Sequence, residues 1–225
     1  MNNNGILLVD KSSGSTSFQI VSELRRITKE PTIGHAGTLD PFATGVMVML
    51  IGRSFTKRSN EFLGSDKQYR ATLTLGIATD TYDCDGMKTF ESPMIPTLAQ
   101  IEQALVPFQG EILQIPPMFS AKKIGGKKLY DLARKGISIE RQPVSVRISI
   151  QLLNFSYPHL EILVDCSKGT YIRSLAHDIG QTLGCGAHLS SLQRTKSGVF
   201  TLEECIPQTL LRDPEMNITS YLRFL

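Results

Sequence analysis

The stretch Gly34-His35-Ala36-Gly37-Thr38-Leu39-Asp40-Pro41-Phe42-Ala43-Thr44-Gly45 is unlike the rest of the chain. Three glycines, a proline, a histidine and an aspartate stand between two segments with ordered patterns. Loops of this kind let a rigid scaffold aim a side chain. A phosphate cradle is excluded because no Gly-Lys-Ser/Thr follows. One His and one Asp are too few ligands for zinc. Asp40 before Pro41 is therefore either a turn residue or a group with chemistry to perform.

On the N-terminal side, Ile6-Leu7-Leu8-Val9 predicts a short buried strand. Thr16 and Gln19 then form a capping box for a helix with Phe18, Val21, Leu24 and Ile27 inward, ending before Pro31. On the C-terminal side, Val46 to Ile51 predicts a strand buried on both faces. Tyr69, Ala71, Leu73 and Leu75 alternate with polar residues as one face of another strand. Thr97 and Gln100 cap a second helix, and Leu129 to Lys135 reads as a short one ended by Gly136. Val144 to Ile150 and Leu160 to Val164 alternate as strands, and Ile172 to Leu183 is helical up to Gly184. Strands outnumber helices and come partly in adjacent pairs. The expected fold is α+β, a mixed and largely antiparallel sheet flanked by helices.

The 225 residues are 41% apolar and 20% charged, which suits a soluble globule and excludes disordered, collagenous and rod-like chains. The longest apolar run, Val46 to Ile51, falls far short of the roughly 18 residues of a membrane span. The opening Met1-Asn2-Asn3-Asn4 and the short apolar stretch before Asp10-Lys11 are too short, and lack the basic flank, to read as a secretory signal. Cys84, Cys166, Cys185 and Cys205 have neither disulfide-framework nor zinc spacing and read as buried thiols in a reducing cytoplasm. Net charge is +3, unevenly placed. Between Ser120 and Ile150, eight Lys and Arg face only Asp131 and Glu140, leaving +6 there and −3 on the remainder. Such a segment is either a solvated face or the footprint of a polyanion partner.

Two further motifs bear on function. Asp80-Thr81-Tyr82-Asp83-Cys84-Asp85-Gly86 lacks both end carboxylates of a calcium loop and reads as a solvated connection, with a functional role left open. Arg173, near a helix start, opposes the dipole there and so points to a carboxylate or phosphate, or is simply exposed.

These blocks together resemble the TruB-type tRNA pseudouridine-55 synthases. The resemblance extends from Gly34–Gly45 through Ser65-Asp66-Lys67-Gln68-Tyr69-Arg70, the Thr79–Gly86 motif and Gln114 to Ala121. It continues through Gly126-Lys127-Lys128-Leu129-Tyr130, Cys166 to Arg173, Gly184 to Leu189 and Leu192-Gln193-Arg194. It implies the pseudouridine synthase fold in one catalytic domain over residues 1–225, with an RNA-clasping arm inserted at about 119–142. It also implies a cytoplasmic isomerase, without metal or cofactor, that flips a uridine out of the T-arm loop of tRNA and rejoins it through carbon. No membrane and no obligate protein partner is implied, and the chain is expected to be monomeric.

Residue by residue, the resemblance makes Asp40 the catalytic carboxylate, acting either by attack on C1′ or by way of a glycal. Tyr69 stacks on the flipped base, Arg173 pairs with Asp40, Tyr171 and Leu192 close the pocket, and His35 supports the rearranged tRNA loop. Lys11, Lys122, Lys123, Lys127, Lys128, Arg134 and Lys135 are the implied RNA contacts. The chain departs from the family in having Ser12 where a proline commonly follows the lysine. The roughly 25 residues from Thr201 onward are too few for the C-terminal PUA domain many members carry. Two other classes compete. One is a tRNA-folding chaperone on the same scaffold, a role that can also accompany catalysis. The other is a carboxylate enzyme cleaving glycosidic bonds, which needs a second acid or a metal that the sequence does not offer.

Overall fold

Two apolar runs that cannot face water on either side must be covered, and here they pair with each other. In the computed structural model, which describes residues 4–120 and 123–224, strand β1 (Gly5–Lys11) leads to helix α1 (Ser17–Thr28). A short β2 (Ile33–His35) and then β3 (Thr44–Ile51) follow. β1 and β3 are antiparallel over their whole length, from Gly5 opposite Ile51 to Lys11 opposite Gly45. Two short helices, α2 (Arg53–Thr56) and α3 (Ser59–Leu63), precede β4 (Lys67–Leu75).

The chain packs as two compact units, one made of the residues up to Tyr69 with those from Leu192 onward, the other of Arg70–Ser191. In the second, a hairpin of β5 (Ile77–Thr79) and β6 (Lys88–Glu91) precedes helix α4 (Leu98–Leu105) and β7 (Gly110–Gln114). Next come the two-residue strands β8 (Lys123–Ile124) and β9 (Lys127–Lys128), α5 (Leu129–Ala133) and the long pair β10 (Val144–Ser156) and β11 (His159–Cys166). β7, β10 and β11 are joined antiparallel. Helix α6 (Ile172–Leu183) ends this sequence, and β12 (Ala187–Ser197) returns the chain to the first unit. There β12 runs parallel to β3, with Arg194 opposite Gly45. β13 (Phe200–Thr201) folds back on β12, and β14 (Ile206–Pro207) lies parallel to β1.

The core of the first unit is one face of β1 and β3, where Ile6, Leu8, Val46, Val48 and Leu50 meet Ala36 and Phe200. The capping boxes at Thr16 and Thr97 are both formed. The face of α1 differs from expectation: Phe18 is 64% exposed, and Ile20 takes its place in the core beside Val21 and Leu24. Period three and period four patterns differ by one residue per turn, and packing on the sheet selects the second. β12 is an element the sequence pattern conceals, because its residues are mostly polar. The four cysteines are free, and Cys84 is exposed where a buried thiol was expected. Among the described residues no helix is long and apolar enough to cross a membrane.

The register places Gly45 between Lys11 and Arg194, at φ +103. A β-carbon there would lie 2.3 Å from the Arg194 carbonyl oxygen. Gly14 is also left-handed, at φ +81, but has open space around it. Gly14→Ala is expected to cost about 1 kcal/mol, the strain of that backbone alone, and Gly45→Ala about 3 kcal/mol or more once overpacking is added. Urea unfolding of the two variants checks this, and equal losses would contradict the close approach.

Candidate active site

The loop that carries Asp40 is held from below by two buried cations. Lys11 closes β1 with 0% exposure. Its ammonium donates to the carbonyls of Pro41 at 2.9 Å, Ala43 at 2.6 Å and Ser12 at 3.1 Å. Arg194, 1% exposed on β12, donates from Nε to the Val46 carbonyl at 2.7 Å and from Nη2 to the Gly37 carbonyl at 3.2 Å. The loop is therefore gripped at Gly37 before Asp40 and at Pro41, Ala43 and Val46 after it. Gly14 N–H to the Pro41 carbonyl and the Ser17 hydroxyl shared with the Leu39 backbone add further fixed points. Buried charges are tolerated where such hydrogen bonds replace water.

Burial pushes the Lys11 ammonium down to about 8, while the Asp40 carboxylate pulls the other way and Arg194 pushes further down. The attraction between Lys11 and Asp40 is mutual, so the half-buried carboxylate has a fixed cation on its protein side. Burial and the Arg194 guanidinium likewise hold the His35 imidazole below the usual histidine range, opposed by a bond to the Gly37 backbone.

The first unit holds His35, Asp40, Tyr69 and Leu192 of the expected site residues. Tyr69 is buried at 9% exposure on β4, and Leu192 at 6% on β12, where its carbonyl lies 3.5 Å from the Thr44 hydroxyl. Lys11 was expected to touch RNA, and its position corrects that: the ammonium is enclosed and spent on loop carbonyls. Arg194 had no role in the sequence reading beyond its place in a motif, because a lone arginine in a polar strand gives no sign of burial.

The second unit holds Tyr171 and Arg173. Tyr171 is the N-cap of α6, and its backbone N–H and carbonyl are both bonded by the Gln114 amide, at 2.8 and 3.0 Å. Arg173 is buried and not simply exposed on its helix. Its guanidinium meets the Asp83 carboxylate at 3.3 Å and donates to the carbonyls of Thr81 at 3.2 Å and Phe119 at 2.7 Å.

Within the Asp80–Gly86 segment Asp80, Cys84 and Asp85 are exposed, but Asp83 is not. Asp83 is 5% exposed, and its other carboxylate oxygen accepts from the Thr81 hydroxyl at 2.6 Å and the Asp85 N–H at 3.1 Å. Tyr82 holds a left-handed φ of 65, with its ring stacked on His177 at 4.0 Å.

In the arm, Arg134 and Lys135 are exposed, and Arg134 lies over the Tyr130 ring at 5.5 Å. Lys122 and the side chains of Lys123, Lys127 and Lys128 lie outside the described residues. Among the described residues no cluster of three His, Cys, Asp or Glu could hold a metal.

The chain matches known proteins along nearly its whole length. The family model described as TruB family pseudouridylate synthase (N terminal domain) matches residues 25–172, and that of the tRNA pseudouridylate synthase B C-terminal domain matches 173–223. A tRNA pseudouridine synthase B of Protochlamydia amoebophila is 59% identical over 90% of this chain and 77% of its own. One of Chlamydia trachomatis serovar L2 is 54% identical over 97% of this chain and 91% of its own. Among solved structures, a chain from a Cbf5-Nop10-Gar1 complex superposes with a TM-score of 0.73 at 29% identity, covering 93% of this chain and 54% of that one. With matched models spanning nearly its whole length, the chain belongs to the TruB family of pseudouridylate synthases.

Proposed function

We propose that the chain isomerises uridine 55 in the T-arm loop of tRNA to pseudouridine, with Asp40 as the catalytic carboxylate. The observation that carries this reading is the Asp40 loop fastened to buried Lys11 and Arg194, which presents one oriented carboxylate with a cation behind it. The shared name of the close relatives supports tRNA as the substrate.

The reaction breaks N1–C1′, turns the uracil and forms C5–C1′. The C5 proton leaves, N1 regains one, and nothing is oxidised. The demand on the protein is to hold a carboxylate ionised and oriented beside the sugar in a site from which water is excluded. Arg173, kept extended by Asp83 and two carbonyls, pairs with Asp40 in this scheme and favours its charged form. The target base is stacked in a folded loop, so flipping costs roughly a few kcal/mol. Stacking on Tyr69 offsets about 1–3 kcal/mol of that, while Tyr171 and Leu192 enclose the base and His35, held largely neutral, supports the loop left behind. The arm from 119 to 142, with Arg134 and Lys135 exposed, adds salt-sensitive contacts to the stem. The same contacts suit assistance to tRNA folding, which Asp40→Asn protein separates from catalysis.

Tritium release from a tRNA transcript labelled at uridine C5 tests the central claim. Asp40→Asn is expected to lose roughly a thousandfold or more in rate, the scale of a single reacting group, with tRNA affinity within threefold of the parent. Substantial product from this variant would remove Asp40 from its role.

Asp83→Asn keeps the shape of the buried pair and removes its charge. Breaking such pairs is strongly destabilising, and the expected result is a loss of about tenfold to a hundredfold in single-turnover rate with binding retained. An unchanged rate would show that Arg173 does not need Asp83.

The Lys11 ammonium yields its proton near pH 8 in the folded chain, against 10.5 for an ordinary lysine. Between those values the unfolded chain binds more protons, so the contribution of this group to stability rises with pH. Denaturant unfolding of the parent against Lys11→Met across that window should show the parent gaining. A constant difference would contradict an enclosed ammonium.

A further inference from the structure

Gln208 lies far from Asp40 in sequence and follows β14 directly. The parallel register sets Val9 beside Ile206 and Asp10 beside Pro207, so the next residues, Lys11-Ser12 and Gln208, continue side by side. Gln208 is 2% exposed. Its Oε1 accepts the Ser12 backbone N–H at 3.0 Å and lies 2.7 Å from the Ser15 hydroxyl. Its Nε2 donates to the Glu23 carboxylate on α1 at 3.2 Å, and the other oxygen of that carboxylate accepts from Arg212 at 3.0 Å. One buried amide thus joins the turn after β1, helix α1 and the segment following β14.

The turn it fixes is the one that holds the Asp40 loop. The Ser12 carbonyl is among the three oxygens around the Lys11 ammonium, and the other two, of Pro41 and Ala43, follow closely after Asp40. The Ser13 hydroxyl donates to the Phe42 carbonyl at 3.1 Å, and the Gly14 N–H to Pro41. Four consecutive residues from Lys11 to Gly14 therefore either grip the loop or are gripped by Gln208. A buried amide with both ends engaged has one orientation, and that orientation specifies where the Ser12 peptide sits.

We infer that Gln208 is a positioning residue for the isomerisation, acting through Ser12 and Lys11 on the Asp40 loop. This rests on Asp40 being the reacting carboxylate. A displacement of about 1 Å at a reacting group is enough to cost up to a hundredfold in rate, whereas Gln208, at 2% exposure, offers no surface for the RNA contacts proposed above.

The test is single-turnover tritium release on a tRNA transcript, with tRNA dissociation constant and melting temperature measured on the same preparations. Gln208→Leu is expected to lower the rate at least about tenfold with the dissociation constant within twofold. The paired exchange Gln208→Glu with Glu23→Gln keeps an acceptor toward Ser12 and a donor between the two side chains, and it is expected to restore the rate to within threefold of the parent. If Gln208→Leu does not fold, Ser15→Ala, which removes one donor from Oε1, is expected to give a smaller loss of the same kind.

A parental rate in folded Gln208→Leu, a loss confined to affinity, no recovery in the exchange, or a parental rate in Ser15→Ala where Gln208→Leu fails to fold overturns the inference. Asp40→Asn assayed alongside keeps the two claims apart. If it is inactive while Gln208→Leu is parental, only the positioning role falls; if it is active, the assignment of the carboxylate falls instead.

Discussion

Two cations buried beside one glycine govern the first unit. Lys11 and Arg194 lie on neighbouring strands on either side of Gly45, and neither reaches water. Such charges would be prohibitively costly in an apolar interior, and their mutual repulsion adds to the cost. Carbonyl dipoles must therefore be brought to them, and the segment from Gly37 to Val46 supplies those dipoles by folding over them. The conformation of the Asp40 loop is in this sense the solvation shell of two charges. A glycine is required where that shell meets the strands, since a side chain there would collide with the Arg194 backbone.

The second unit uses the opposite arrangement. Its buried cation, Arg173, has a buried carboxylate of its own in Asp83, and the loop around Asp83 is tied down by the hydroxyls of Thr79 and Thr81 and by a left-handed Tyr82 resting on His177. In both units the charged group is fixed by partners from the chain itself, an arrangement suited to the proposed reaction. Preorganised charge of this kind stabilises a developing transition state without reorganising during the reaction.

Much of this architecture is legible in the residues. The alternation in Tyr69–Leu75 and the continuous apolar run in Val46–Ile51 each report burial on one or two faces of a strand, and both capping boxes were stated by Thr-x-x-Gln. The site was less so. Lys11, Asp83 and Arg194 each look like surface residues, because the compensation for burying them comes from backbone groups distant in sequence that leave no mark on the residues themselves. Lys11 was read as an RNA contact and Asp83 as part of a solvated connection for this reason. β12 was hidden by the same effect: its polar residues bond to neighbouring strands and loops, as Thr195 does to Gln68. Phe18 shows the reverse case, a large apolar residue that the helix turns outward.

The first unit is discontinuous: the chain leaves it after Tyr69 and re-enters it at Leu192, whereas Arg70–Ser191 is one uninterrupted stretch. Val46 meets Arg194 across 148 residues, and Ser12 meets Gln208 across 196. Closing such loops is slow and costs entropy before the contacts reward it. During synthesis the ribosome delivers Lys11 and Asp40 early and Arg194 late, so the intervening unit can collapse while the loop still lacks one of its two cations. The nascent chain therefore carries the Asp40 loop half-anchored for most of its translation, and the loop gains its second cation only when β12 emerges.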